Sequence, residues 1–394
     1  MANYPTYKLG EICETTSGGT PNRKNDAYYG GTIPWVKSGE LGKGIIYDTE
    51  EKITEQAVKE SSAKIFPKGT LLIALYGATI GKLGFLGVPA ATNQAVCGIF
   101  ANEKIDLQFL SYYLFHKRND LIAQGTGGAQ PNISQTILKN LPIPLPPLAT
   151  QHAIVTHIET LFAELDKAVQ HLHTAQQQIK TYRQAVLNHW LNNEDGKWEM
   201  VKLGDVAEVN TGSTPKRGNN DYWENGTIPW ITSGETNNQY ITKASEFITT
   251  KAIAETNCKI IPKGSLLIAM YGEGKTRGKC AELSINAATN QALASITFTS
   301  TEISKNFAKC FFEKNYQDMR LLSSGGVQPN LNLGIIKNMI IPLPPISEQQ
   351  RIVAEIESRL SQAEAVEESI GKALQQAEAL RQSILKKAFS GELI

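Results

Sequence analysis

Basic side chains on glycine-rich turns are the residues of this 394-residue sequence that could most readily do chemistry. After Tyr271 the chain carries Lys275, Thr276, Arg277 and Lys279 among glycines. Lysine and threonine commonly contact phosphate, whereas arginine can also donate two hydrogen bonds to one guanine. The segment is therefore predicted to contact DNA, and the alternative is a basic loop that is only solvated.

A second basic group lies on an earlier turn in each half of the sequence. One Thr-Pro turn is followed by Arg23 and Lys24, and the equivalent turn is followed by Lys216, Arg217 and Asn219. Glycine and proline mark both segments as loops. The matching positions favour a shared function, so these side chains are predicted to contact DNA as well.

The remaining candidate contacts are polar side chains beside repeated scaffold motifs. Small donors that follow a tryptophan could meet sugar and phosphate groups. The equivalent of the Tyr271 segment in the first half of the sequence supplies a further tyrosine and lysine. These candidates are Lys37, Ser38, Tyr76, Lys82, Thr232 and Ser233.

Two amide pairs could bind adenine but are more simply explained as scaffold. Asn93-Gln94 and Asn290-Gln291 stand in the same Ala-Thr-Asn-Gln-Ala motif. Asparagine and glutamine can each bond to adenine in the major groove. Identical side chains cannot read two different sequences, however, so a structural role is favoured for both pairs.

Catalytic motifs are not found in this sequence. The segment Ala269 to Thr276 resembles a phosphate-binding loop, but alanine replaces the first glycine and the first half lacks the motif. The Asn/Asp-Pro-Pro-Tyr/Phe motif that an adenine methyltransferase uses to hold the target base is absent. No metal site is predicted from the histidines or the five scattered cysteines. We expect methylation and cleavage to reside in other chains.

The turns that carry these candidates recur because the sequence is duplicated. Thr32-Ile33-Pro34-Trp35 returns as Thr227-Ile228-Pro229-Trp230, and Leu71-Leu72-Ile73-Ala74 returns as Leu266-Leu267-Ile268-Ala269. A period of roughly 200 residues is far too long for a solenoid unit, so this is a duplicated domain. Each copy is predicted to be a mixed α+β unit.

Local patterns predict the main elements of each copy. The apolar runs from Gly69 to Tyr76 and from Gly264 to Tyr271 are short and bounded by glycine, which predicts a buried strand. Short strands are predicted at 8–12 and 202–206. Helices are predicted around Leu107 to Ile122 and around Phe307 to Leu322.

A proline-rich hinge and a long helix end each copy. The hinges Ile143 to Pro147 and Ile341 to Pro345 cannot be helical and favour an extended chain. Apolar residues then recur at alternating spacings of four and three, which is typical of a coiled-coil seam. The predicted seam comprises Leu161, Leu165, Ala168, Leu172, Ala175, Ile179, Tyr182, Val186, Val366, Ile370, Ala373, Ala377, Leu380 and Ile384. Antiparallel pairing of the two helices within one chain is the simplest arrangement, and dimerisation of two molecules is the alternative.

The predicted fold class is thus α+β, internally duplicated, with two long antiparallel coiled-coil helices. Four segments follow: a recognition domain at 1–146, a helical spacer at 147–197, a second recognition domain at 198–345 and a second spacer at 346–394. The cysteine pattern and the absence of a leader or a membrane-spanning run predict a cytoplasmic protein. A net charge of only +1 argues weakly against a polyanionic partner.

Three motifs give the whole chain a resemblance to the DNA-specificity subunits of type I restriction-modification systems. They are Glu348-Gln349-Gln350-Arg351-Ile352-Val353 after Pro-Leu-Pro-Pro, Gly325-Gly326-Val327-Gln328-Pro329-Asn330, and Leu385-Lys386-Lys387-Ala388-Phe389-Ser390-Gly391-Glu392-Leu393. The resemblance implies a non-catalytic subunit with two target-recognition domains and two conserved helices that set a spacing.

The same resemblance implies partners and cofactors. Modification subunits would dock on the chain and methylate adenine in double-stranded DNA, and restriction subunits would translocate and cut. S-adenosylmethionine, ATP and magnesium would belong to those partner subunits. The alternative is a two-headed adaptor that binds a ligand other than DNA.

Overall fold

The chain folds into two compact units, each with its own hydrophobic core. The structure, a computed structural model, describes residues 4–125, 132–193, 195–272, 276–321 and 330–392. Unit 1 comprises residues 1–172 together with 372–394, and unit 2 comprises residues 173–371. Each unit therefore contains the first part of one long helix and the last part of the other. The division into four segments remains a prediction.

The first copy of the repeat contains eleven strands and five shorter helices within the described residues, followed by a long helix. In chain order they are β1 (Thr6–Lys8), α1 (Leu9–Ile12), β2 (Cys13–Ser17), β3 (Tyr29–Val36), β4 (Ile45–Ile46), β5 (Lys52–Ile53), α2 (Glu55–Glu60), β6 (Ile65–Phe66), β7 (Leu71–Ala74), β8 (Leu83–Leu86), β9 (Ala90–Thr92), β10 (Val96–Ala101), α3 (Leu107–His116), α4 (Arg118–Ala123), α5 (Gln135–Lys139), β11 (Pro142–Pro144) and α6 (Leu148–Trp190).

The second copy repeats this order with small changes. Its elements are β12 (Glu199–Lys202), α7 (Leu203–Val206), β13 (Ala207–Thr211), β14 (Ile228–Ile231), β15 (Tyr240–Ile241), β16 (Glu246–Ile248), α8 (Thr250–Glu255), β17 (Leu266–Ala269), β18 (Cys280–Leu283), β19 (Ala288–Thr289), β20 (Leu293–Phe298), α9 (Lys305–Lys314), α10 (Tyr316–Leu321), α11 (Leu333–Lys337), β21 (Ile340–Leu343) and α12 (Ile346–Ser390).

Each unit is built on a five-stranded sheet with a smaller sheet beside it. The large sheets have the order β2-β10-β7-β8-β4 and β13-β20-β17-β18-β15. Only the edge pairs β4–β8 and β15–β18 are parallel in these sheets. The smaller sheets place β3 between β5 and β9, and β14 between β16 and β19. The predicted mixed α/β class with long helices is confirmed.

The predicted core strands are confirmed, because every residue of β7 and β17 is buried. Two other predictions are corrected. The runs at 8–12 and 202–206 are not single strands: each is the end of a strand followed by a one-turn helix, α1 or α7, whose leucine is fully buried. The helical stretches near 107–122 and 307–322 are each broken in two, at Lys117 and Asn315, whose backbones lie outside the helical region. Leu322 lies outside the described residues.

A buried glutamine joins each long helix to the globular part of its unit. Gln349 and Gln151 are both 0% exposed. Gln349 accepts a hydrogen bond from the Ser304 backbone N–H at 2.7 Å and donates to the Glu302 and Pro344 carbonyls at 2.7 and 2.8 Å. Gln151 repeats the network with the backbone of Asp106, Lys104 and Pro146 at 2.8, 2.9 and 2.8 Å. The side chain thus satisfies three backbone groups in each unit.

The two long helices pair within unit 2 in the antiparallel sense. Arg183 of α6 forms an ion pair with Glu364 of α12 at 3.4 Å. Trp190, later in α6, lies under the guanidinium group of Arg351, earlier in α12, at 5.2 Å. The helices therefore run in opposite directions, as predicted.

Unit 1 uses the opposite ends of the same helices. Arg381 of α12 pairs with Asp166 of α6 and lies over the Phe162 ring at 4.7 Å. Phe389 packs edge-on against Phe109 and Tyr113, with ring centroids 5.5 and 5.1 Å apart. The end of α12 is therefore part of the hydrophobic core of unit 1.

The predicted seam is only partly buried. Leu165, Val186, Ile370 and Ile384 are buried, whereas Ala168, Tyr182, Val366 and Leu380 are exposed. A heptad pattern identifies an apolar face without showing how much of that face one partner helix covers. Because only two helices pair, one edge of each apolar seam stays exposed to solvent.

Candidate nucleic-acid interface

An arginine held by a glutamate and two aromatic rings organises the early turn of unit 1. The Arg23 guanidinium group donates to the Glu51 carboxylate at 2.6 Å. It also lies 4.8 Å from the ring centroids of both Tyr29 and Trp35. We call this group the unit 1 clamp.

Unit 2 has an equivalent group, the unit 2 clamp, at the matching positions. Arg217 contacts both carboxylate oxygens of Glu246, one of them at 3.1 Å. Its guanidinium carbon lies 4.0 Å from the Trp223 ring centroid and 4.9 Å from that of Trp230. Trp35 and Trp230 are each 1% exposed and are therefore core residues.

Local hydrogen bonds fix the turns around both clamps. The Trp35 and Trp230 indole N–H groups donate to the carbonyls of Gly19 and Ser213, each at 3.1 Å. At Gly18 an added Cβ would lie 2.1 Å from the Thr92 carbonyl oxygen, so the close approach requires glycine. The turns are thus tied to the buried part of each unit.

The clamp contacts are individually modest. An exposed ion pair contributes about 0.2 to 1 kcal/mol and an exposed cation–π contact about 0.5 to 1 kcal/mol, so each clamp is worth about 1 to 3 kcal/mol. The Arg23 hydrogen bond, followed by that of Lys37, lowers the pKa of Glu51. The Arg217 hydrogen bond likewise lowers the pKa of Glu246. Both carboxylates therefore stay ionised well below neutral pH, and the clamps persist there.

The residues beside the clamps that are predicted to contact DNA differ in their exposure and in their hydrogen bonds. Lys24 and Lys216 are exposed next to the clamp arginines. The Asn219 side chain accepts the Asp221 backbone N–H at 3.2 Å and caps a single 3-10 turn. Asn25 does the same in unit 1. Within the described residues, Asn219 thus has a local structural role.

The candidates that follow the buried tryptophans are partly buried. Lys37 pairs with Glu51 at 3.0 Å and with Glu50 at 3.4 Å. It therefore shares the Glu51 carboxylate with Arg23 of the unit 1 clamp. At the equivalent position the Thr232 hydroxyl donates to Glu235 at 3.2 Å. Ser38 and Ser233 begin the 3-10 turns that follow, Ser38–Glu40 and Ser233–Asn237, and both serines are half-buried.

The second group of candidates follows the central strands β7 and β17. Tyr76 and Tyr271 are 37% and 38% exposed at matching positions. In the loops beyond them, the backbone N–H groups of Gly81 and Gly278 donate to Ala74 and Ala269, each at 2.8 Å. Both glycines have positive φ, 74° and 85°, which allows the tight return of the chain.

The basic side chains of these loops differ between the units. Lys82 is exposed, whereas Arg277 and Lys279 are half-buried. The Lys279 ammonium group donates to the Asn237 side chain at 2.8 Å. The Thr276 carbonyl accepts the Lys279 backbone N–H at 3.0 Å. Lys275 lies outside the described residues, as does the segment 325–329 of the repeated glycine motif.

The repeated amide pairs make internal contacts. Asn93 and Asn290 accept the backbone N–H groups of Ala95 and Ala292 at 3.2 and 3.0 Å. Gln94 accepts a hydrogen bond from Thr20, and Gln291 accepts the equivalent one from Thr214. These contacts tie the glycine turns to the strand ends.

Sequence analysis missed Glu51 and Glu246. Both are acidic, and a carboxylate is not expected at a surface that binds the negatively charged DNA backbone. The signal lay in the duplication, since each glutamate recurs with its arginine at the matching position. Repetition of both partners indicates a preserved pair.

A cleft between the sheet and the helix pair differs in chemistry between the units. In unit 1 it has a volume of about 1070 Å³ and is lined by Ser111, Tyr112 and Phe115 of α3. In unit 2 it is about 480 Å³ and is lined at the equivalent positions by Lys309, Cys310 and Glu313. The Lys309 ammonium group lies 3.9 Å from the Tyr240 ring centroid. The helix face that lines the cleft is thus uncharged at these three positions in unit 1 and carries two charged residues in unit 2.

Glu313 yields a prediction about pH. Burial raises the pKa of Glu313 above its ordinary value of 4.5, with Lys309 and Arg183 opposing the shift. The folded state therefore holds the proton more tightly than the unfolded state, and unit 2 loses stability as pH rises above 4.5. Glu313→Gln is expected to raise the free energy of unfolding at neutral pH, with a gain that shrinks toward pH 4.5.

Urea titrations of both proteins across that pH range measure this difference. Asp318→Asn, at an exposed position of α10, is the control and should show no such pH-dependent gain. A destabilised Glu313→Gln protein at neutral pH would contradict the prediction and indicate that Lys309 and Arg183 outweigh the burial.

Both copies of the repeat match the model of one protein family. The family model of the type I restriction modification DNA specificity domain matches residues 1–172 and again residues 195–376. The chain therefore belongs to this family and carries two copies of its domain. It is a DNA-specificity subunit and not itself an enzyme.

Relatives and solved structures agree with this assignment. The chain is 28% identical over 364 residues to the type I restriction enzyme MjaIX specificity subunit of Methanocaldococcus jannaschii, covering 87% of this chain and 83% of the relative. It is 24% identical over 394 residues to the EcoKI specificity subunit of Escherichia coli K12, covering 92% and 82%. The adaptor alternative finds no support among these relatives.

Two solved structures share the fold. A chain described under "Structural basis underlying complex assembly and conformational transition of the type I R-M system" gives a TM-score of 0.79 at 20% identity, covering 99% of this chain and 98% of that one. The HsdS subunit from Thermoanaerobacter tengcongensis gives 0.58 at 20% identity, covering 99% and 97%. Among the helices described here, none is long and apolar enough to cross a membrane.

Proposed function

We propose that the chain reads a split, asymmetric site in double-stranded DNA, with one half-site for each unit. The observation that carries the proposal is a shared scaffold whose loops carry different residues. Both units keep the clamp, the buried tryptophan and the exposed tyrosine after the central strand. The adjoining loops differ in sequence, since Arg277 stands where unit 1 has Ile80, although Lys82 and Lys279 match. Two similar readers with different side chains suit two half-sites of different sequence.

The chain would deliver this specificity to catalytic partners. Modification subunits that bind S-adenosylmethionine would methylate adenine at the site, and restriction subunits that use ATP and magnesium would translocate and cut. The long helices would provide the docking surface and set the separation of the half-sites. All of these components would assemble in the cytoplasm.

The decisive experiment maps methylation. The chain is produced together with a type I modification subunit that forms a stable complex with it, and the methylated adenines of plasmid DNA are located by sequencing. Methylation confined to one split, asymmetric sequence supports the proposal. Methylation without sequence preference, or preference for a single undivided sequence, would contradict it.

Salt dependence tests the predicted phosphate contacts in the same assembly. Neutralising Lys24 and Lys216 together should reduce the slope of log affinity against log salt by about 2, because each lost phosphate contact removes about 0.9. Affinity should fall for all sequences alike. Lys167→Ala, on the exposed side of α6, is the matched control and should leave the slope unchanged.

A further inference from the structure

We propose that Glu51 and Glu246 are positioning residues for DNA binding, although they carry the same charge as the DNA backbone. Each glutamate fixes a stacked arginine, and the arginine fixes the turn at 18–25 or 212–219 that presents its exposed neighbours to DNA. The inference rests on the proposed DNA-reading function. It identifies the residues that hold in place the loops that meet DNA.

The first step is that the clamp arginines are engaged within their own unit. Arg217 directs two N–H groups to the two Glu246 oxygens and lies over two rings. Arg23 does the same with one oxygen of Glu51 and two rings. A guanidinium group used in this way holds a loop, because its ion pair and its ring contacts tie it to residues of its own unit.

The second step is that the clamp is constant while its flanks vary. Arg23 lies between Asn22 and Lys24, whereas Arg217 lies between Lys216 and Gly218. The clamp rings also stand at matching positions, with Tyr29 replaced by Trp223. A constant support with variable neighbours is the arrangement expected if each turn sets how its own unit lies on its half-site.

The third step is electrostatic and makes the idea testable. A carboxylate near bound DNA repels phosphate, so its neutralisation alone should tighten binding. If the carboxylate instead positions the turn, its neutralisation should weaken binding. The two roles predict changes of opposite sign.

The experiment uses Glu246→Gln and Glu51→Gln in the chain assembled with its modification subunits. Glutamine keeps the size and one acceptor oxygen but loses the charge that holds arginine. Each variant is expected to bind the cognate site about tenfold more weakly at fixed salt. Glu208→Gln, at an exposed position of β13, is the control and should bind as the parent does.

The affinity lost through base changes in each half-site distinguishes a positioning role from a general loss of structure. Base changes in one half-site should cost less affinity in Glu246→Gln than in the parent, and base changes in the other half-site should cost as much as before. Glu51→Gln should show the converse. Arg217→Lys keeps the charge without the fork, and we expect it to be as weak as Glu246→Gln.

The outcomes distinguish this inference from the proposed function. Unchanged or tighter binding by both glutamine variants overturns the positioning role while leaving DNA reading intact. Equal loss of discrimination at both half-sites from a single variant also overturns it. If the parent assembly shows no salt-sensitive DNA binding, the proposed function fails first.

Discussion

Replacing Gln349 with alanine is expected to lower the free energy of unfolding of unit 2 by about 3 to 5 kcal/mol. The side chain is fully buried and bonds to three backbone groups, those of Ser304, Glu302 and Pro344. Alanine would leave these groups without the side-chain partner and away from water. A buried polar group without a partner costs about 1 to 3 kcal/mol, so three together account for the expected loss.

The neighbouring residue provides the control. Gln350 lies in the same turn of α12 and is exposed, so Gln350→Ala should change stability by less than about 0.5 kcal/mol. Urea unfolding followed by hydrogen exchange at β17 and at β7 measures each unit separately. Gln151→Ala should reproduce the effect in unit 1. Equal stability of the Gln349 and Gln350 variants would show that water replaces the missing side chain without cost.

Replacing Phe389 with alanine is expected to destabilise unit 1 by about 3 to 5 kcal/mol while leaving unit 2 unchanged. Phe389 is 7% exposed and its ring packs against Phe109, Tyr113 and His116. Truncation removes that burial and leaves a cavity, because the surrounding rings belong to α3 and cannot collapse freely.

Leu380 in the same helix is the matched control for Phe389. Its side chain is 50% exposed, so Leu380→Ala should have a small effect. Hydrogen exchange should show faster opening of β7 in the Phe389 variant and an unchanged rate at β17. Equal destabilisation of both strands would contradict a contribution confined to unit 1.

The sequence was sufficient for features that depend on local patterns. Continuous burial of Leu71 to Ala74 follows from an apolar run between glycines, and the hinge before α12 follows from its prolines. Both can be derived without knowing any distant neighbour. The duplication was visible for the same reason, since matching motifs keep their order.

Features that depend on distant partners could not be predicted. Gln349 resembles an ordinary polar helix residue until the backbone of Glu302 and Ser304 is placed beside it. The duplication marks Glu246 and Arg217 as repeated residues, but their contact is known only once the Arg217 turn is placed beside β16. The exposure of Val366 and Leu380 has the same origin, because a heptad pattern does not specify how much of the face is covered.

The division of the long helices between the units also determines the order in which the two units can complete their folding during synthesis. Unit 2 is one continuous stretch, 173–371, whereas unit 1 needs 372–394 as well as 1–172. Multidomain chains generally fold the N-terminal domain first during synthesis. Here residues 1–172 are synthesised early. The apolar surface of Phe109 and Tyr113 stays uncovered until Phe389 has also been synthesised. The N-terminal unit is therefore the last to be completed.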